Sequence, residues 1–101
     1  MIARIWHGKT SIENYEAYSI FLKEVAIPDY QKTVGFKNLV FLRNIQNGEG
    51  HFTLITYWKN VEVIKSFAGK NFEKAKYYPE DKDFLLEFEE QVQHYEVFAK
   101  A

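Results

Sequence analysis

Cysteine is absent from this chain, so a disulfide framework, a thiolate metal site and a cysteine nucleophile are all excluded. No sign of charge dominates either. Thirteen basic and fourteen acidic residues leave a formal net charge of −1, which offers no general attraction to nucleic acid or anionic lipid. Neither is expected as a partner. There are only two prolines, Pro28 and Pro79, and each reads as a break in a helical or turn segment. No apolar run approaches the length of a membrane span, and Met1-Ile2-Ala3-Arg4-Ile5-Trp6-His7-Gly8 lacks the apolar core of a signal peptide. A cytoplasmic location is expected.

What the chain has in excess is aromatic side chains: nine Phe, seven Tyr and two Trp in 101 residues. A domain of this size has little interior for so many rings. An aromatic cavity, a second subunit or an aromatic-rich core must take them up.

Residues 1–101 read as one domain. Ile2 to His7 has the pattern of a short strand, and Thr10 with Glu13 has the spacing of a capping box opening the first helix. Tyr15, Tyr18, Leu22 and Val25 place an apolar stripe on that helix, which Pro28 is expected to end. Leu39-Val40-Phe41-Leu42 starts a second strand, and Asn47-Gly48 signals a hairpin into a third. That third strand ends in Thr53-Leu54-Ile55-Thr56-Tyr57-Trp58. Asn60 then caps a helix carrying Val61, Ile64, Phe67 and Ala68, which Gly69 stops. A helical turn is expected at Phe72–Lys76 and a short helix from Asp81 through Phe88. Val92 to Phe98 closes as a fourth strand.

The order βαββαβ predicts an α+β, ferredoxin-like sandwich with an antiparallel sheet in the spatial order 4-1-3-2. Helices cover one face of such a sheet. The strands are apolar on both sides, so a second copy is expected to cover the other face in a closed homodimer. The same topology predicts that His7, His51 and His94, the chain's three histidines, gather at one end of the sheet with Glu49 and Glu80 nearby. Imidazoles placed this way suit acid–base chemistry near neutral pH or a divalent metal. No HxH or HExxH spacing supports the metal, and none is assigned. The opposite charges of residues 65–76 and 80–90 read as local pairing with no catalytic role.

The first-strand spacing, the Asn-Gly hairpin, Thr56-Tyr57-Trp58, the capped helix through Phe67 and the closing His94-Tyr95-Glu96-Val97 together resemble antibiotic-biosynthesis-monooxygenase-like proteins of the dimeric α+β barrel superfamily. The resemblance covers nearly the whole chain, and Tyr77-Tyr78-Pro79-Glu80-Asp81 with Phe84-Leu85 resembles an uncharacterised bacterial subgroup. It implies a dimeric barrel and a cofactor-independent monooxygenase acting on a small aromatic or quinone-like compound, with a non-catalytic small-molecule-binding or stress-response barrel as the alternative. Such an oxygenase needs a pocket, for which Arg4, Tyr57, Trp58, Phe67 and Tyr77 are the candidate substrate contacts, and the topology adds His7 and His94, with Tyr78, as candidate catalytic groups. The haem-degrading branch carries a Trp, a His and an Asn where this chain has Phe67, a residue near Tyr77 and one near Arg4. The resemblance therefore implies neither haem nor any other cofactor.

Overall fold

The computed structural model describes all 101 residues. Strand β1 (Ile2–Ser11) is followed by a helical rod of three abutting segments: α1 (Tyr15–Phe21), a π-helical stretch (Leu22–Ala26) and α2 (Ile27–Gln31). Then come β2 (Phe36–Gln46), β3 (Glu49–Trp58), α3 (Val61–Ala68), a 3₁₀ turn (Pro79–Asp83) and β4 (Gln93–Glu96). The sheet order is β2-β3-β1-β4, with every neighbour antiparallel. This is the ferredoxin-like order expected. No helix is long and apolar enough to cross a membrane.

Local chemistry explains most of these elements. Asn47 (φ 52°) and Gly48 (φ 74°) close a two-residue hairpin that holds Gln46 opposite Glu49. Positive φ at both positions matches the right-handed strand twist, and Asn-Gly tolerates it best. The Asn60 side chain accepts the Val63 N–H at 3.0 Å and caps α3.

Strand alternation sorts the sheet into two faces. Arg4, Trp6, Gly8 and Thr10 of β1 lie with Phe52, Leu54, Thr56 and Trp58 of β3 on the buried, helix-covered face. Tyr30 and Phe67 stack at 4.6 Å beside Trp58, whose indole N–H donates to Thr56 Oγ1 at 2.8 Å. Tyr18, Phe21, Phe52 and Phe84 form a second aromatic group. A side chain at Gly8 would collide with the Trp6 ring, which lies across it.

Several local expectations are corrected. Thr10 does not cap a helix: it is buried in β1, bridged to Leu85, because β1 follows its ladder with β3 to Ser11. The rod starts after Asn14. Pro28 does not end the rod but sits in the first turn of α2, where its missing N–H costs least. The π-helical widening just before it relieves the ring's clash with the preceding turn and shifts the buried stripe to Tyr18, Leu22, Ala26 and Tyr30, leaving Val25 exposed. The helix through Phe88 is also missing. Asp81 closes a 3₁₀ turn by accepting the Tyr78 N–H, and Leu86 N–H then donates to Lys9 O, drawing the chain along the free edge of β1. Within Phe72–Lys76 only Phe72 and Glu73 form a turn, which leads into a bridge from Lys74 to Gln91, and β4 is shorter than Val92–Phe98.

Candidate functional site

On the open face of the sheet, the paired strands form rows that are most apolar at the second and turn polar beyond it. Ala3, Tyr57 and Asn38 make the first row and Ile5, Ile55 and Val40 the second. His7, Thr53 and Leu42 come third, followed by Lys9, His51 and Asn44. Two imidazoles therefore stand diagonally across β1 and β3, where side chains of this length can touch. His7 Nε2 lies 3.2 Å from His51 Nδ1, and His7 Nδ1 lies 2.5 Å from Glu89 Oε2.

The carboxylate accepts the Nδ1–H, so His7 presents an Nε2 lone pair toward His51. Glu89 is placed by its own segment: Tyr77 OH donates to Glu89 O at 2.5 Å, and the Tyr77 ring packs edge-on to Phe88 and Trp6. His7, His51, Thr53, Leu42, Arg43, Asn44 and Gln46 line an open cleft of ≈ 250 Å³ beside this chain of groups. Its polar lining and its carboxylate–imidazole–imidazole relay suit binding and deprotonation of a weakly acidic group.

His94 is elsewhere. It pairs with Arg4 near the start of β1, on the helix-covered face, whereas His7 is on the open face opposite Thr53. The expected pairing of His7 with His94 is not formed. Antiparallel order alone would permit it, but β4 is only four residues long and begins opposite Ile5.

Arg4 is almost fully buried and donates to Phe72 O at 2.5 Å and to Lys74 O at 3.1 Å, and its guanidinium lies 3.0 Å from His94 Nε2. It fastens the turn after α3 to the sheet. Burial lowers its pKa to about 10, and burial together with the neighbouring Arg4 charge holds His94 below the ordinary imidazole value.

The other expected site residues divide between the two faces. Trp58 and Phe67 are core side chains, Tyr57 is on the open face, and Tyr77 supports Glu89. Tyr78 turns toward the rod, donating to Asp29 Oδ2 at 2.6 Å. Asp29 also receives Lys76 and Lys32, each at 3.1 Å. Tyr18 OH donates to the buried Asp81 at 3.0 Å. No cleft is lined by Arg4, Trp58, Phe67, Tyr77 or Tyr78, so these residues do not enclose a common pocket within one chain.

The expected acidic neighbours of the histidines also differ. Glu49 pairs with Lys9, and Glu80 lies exposed on the 3₁₀ turn. Glu89, which does reach His7, is one of several acids in its segment, and no local spacing distinguishes it.

This two-faced sheet under a helical rod is the fold of antibiotic-biosynthesis-monooxygenase-like proteins. Three solved structures carry the likeness. A protein from Nitrosomonas europaea described as a candidate antibiotic biosynthesis monooxygenase aligns over 98% of this chain and 100% of its own, with TM-score 0.70 and 14% identity. An MhuD variant holding two manganese protoporphyrin IX molecules per active site aligns over 100% of this chain and 98% of its own, with TM-score 0.64 and 13% identity. A candidate antibiotic biosynthesis monooxygenase from Bacillus cereus aligns over 99% and 91%, with TM-score 0.51 and 20% identity. At these identities the likeness concerns the fold. No protein-family model and no curated protein matches the chain.

Proposed function

We propose that the protein is a cytoplasmic homodimeric α+β barrel acting as a cofactor-independent monooxygenase on a small phenolic or quinol-like compound. The observation that carries this reading is the Glu89–His7–His51 relay at the side of a polar cleft. His51 Nε2 takes the phenolic proton, and its Nδ1–H passes toward the His7 lone pair that Glu89 orients. The substrate anion adds dioxygen at a ring carbon. The resulting hydroperoxide loses water to give a quinone, so one oxygen atom enters the product, the other leaves as water, and no external reductant is needed.

A haem-binding reading has less support. His94 is the one imidazole on the helix-covered face, and its Nε2 is against the Arg4 guanidinium. The alternative of a non-catalytic binding barrel draws on the filled helix-side core, in which Trp58 and Phe67 pack against Tyr30 rather than around a void. Oxygen uptake with simple hydroquinones and naphthols separates the two readings. The oxygenase reading expects uptake of one dioxygen per quinone formed, reduced at least tenfold in His51→Ala and His7→Ala. Ligand binding without uptake across that panel would leave the binding barrel.

A further inference from the structure

We propose that the His7–His51 pair is a binding site for a borderline-soft divalent cation, Zn²⁺ being the probe. The geometry suits it. Two nitrogens on one zinc at 2.0–2.1 Å lie about 2.9–3.4 Å apart for angles between a right angle and the tetrahedral one. His7 Nε2 and His51 Nδ1 are 3.2 Å apart, and their rings are tilted by only 33°.

The surroundings fit as well. A metal-bound imidazole characteristically donates its second N–H to a carboxylate, which fixes the ring and makes its lone pair more basic. Glu89 on His7 Nδ1 has this arrangement. In the metal-free pair one proton bridges the two rings. For the cation to enter, His51 moves that proton to Nε2 and faces the metal with a bare Nδ1.

No group of three or more metal-ligating side chains surrounds a common point, so two coordination positions come from this chain and the remainder fall to water in the cleft. Asn44 and Thr53 offer neutral oxygens along the same wall. The charges around the pair also favour a cation: Glu89 is bonded to His7, while Lys9 pairs with Glu49 and Glu87, and Arg43, which also lines the cleft, pairs with Glu16. Cation binding does not depend on the oxygenase reading. Where that reading holds, the cation and the substrate proton compete for the same lone pair.

The test is calorimetric titration of untagged, metal-free protein with Zn²⁺ in a non-chelating buffer. One Zn²⁺ per chain is expected. His7→Ala and His51→Ala should each weaken binding at least tenfold, and Glu89→Gln about 10–100-fold, as loss of an orienting carboxylate does. His94→Ala should bind as the parent protein does. Histidine ring NMR of the unaltered chain provides a readout that needs no variant: Zn²⁺ should move the signals of two rings and leave the third in place. Absence of saturable binding, equal binding by both alanine variants, or movement of the His94 signals alone would overturn the proposal. If zinc binds as expected while no phenolic substrate consumes oxygen, the cation site stands and the oxygenase reading falls.

Discussion

At the scale of single residues, a half-buried and a buried carboxylate respond to pH in opposite directions. Burial alone would raise the pKa of Asp29, but hydrogen bonds from Tyr78, Lys76 and Lys32 outweigh it and hold the group below its ordinary value. Its contribution to stability is therefore complete above the unfolded pKa of about 3.9 and is lost as pH falls through the folded value. Asp81 is pushed up, chiefly by burial, despite bonds from the Tyr78 N–H and the Tyr18 hydroxyl. Its contribution is greatest below about 3.9 and declines as pH rises through its folded pKa. Urea denaturation of Asp29→Asn across pH 2–7 should lose the acid limb of the stability curve, while Asp81→Asn should lose the decline on the other side. Tyr78→Phe should cost about 1.5–3 kcal/mol at pH 7, the range for a hydrogen bond to a charged group. Arg4 invites a separate test. Arg4→Met strands the carbonyls of Phe72 and Lys74 and should cost about 1–3 kcal/mol for each group left without a partner. Trypsin should then cut after Lys70 or Lys74 at least tenfold faster than in the parent chain.

Among the elements, those governed by short-range chemistry were the legible ones. Asn47-Gly48 dictates its turn, Asn60 dictates its cap, and strand alternation with βαββαβ order dictates the sheet. Asn60→Ala should accordingly cost about 1 kcal/mol, read as a shift in the thermal midpoint, because only the Val63 N–H loses its partner. The misread elements are those in which a distant partner overrides a local signal. Thr10 has capping-box spacing, but the β1–β3 ladder continues past it to Ser11. Pro28 is a helix breaker by propensity, but packing of Tyr30 against Trp58 and Phe67 rewards one more turn, and the π-helical stretch makes it sterically possible. The site was half legible for the same reason. Antiparallel pairing of β1 with β3 brings His7 toward His51, a consequence of the βαββαβ topology that sequence order predicts. The β4 register and the reach of Glu89 depend on how the segment after α3 folds back on β1, which no periodicity encodes.

For the whole molecule, the unresolved demand is the open face of the sheet. Val40 and Leu42 are 42% and 48% exposed, Tyr95 is 54% exposed, and Val97, just beyond β4, lies beside Val40 and Tyr57. Ile5, Ile55 and Tyr57 lie between them, so the apolar surface is contiguous across all four strands instead of scattered. A two-fold partner laying the same rows against these would bury them in both copies, while the polar rows of His51, Asn44 and Gln46 stay at the rim where a small molecule can enter. Light scattering at micromolar concentration should therefore report twice the chain mass. Val40→Asp should give a monomer or an unfolded chain, because the carboxylate would be buried in the interface without a counterion. Tyr95→Ala removes an open-face side chain that is 54% exposed in its own chain, so it should weaken the dimer at least tenfold by dilution while leaving the fold of the monomer unchanged. A parent protein that scatters as a monomer would exclude the barrel, and a Tyr95→Ala dimer as tight as the parent would place that side chain outside the interface.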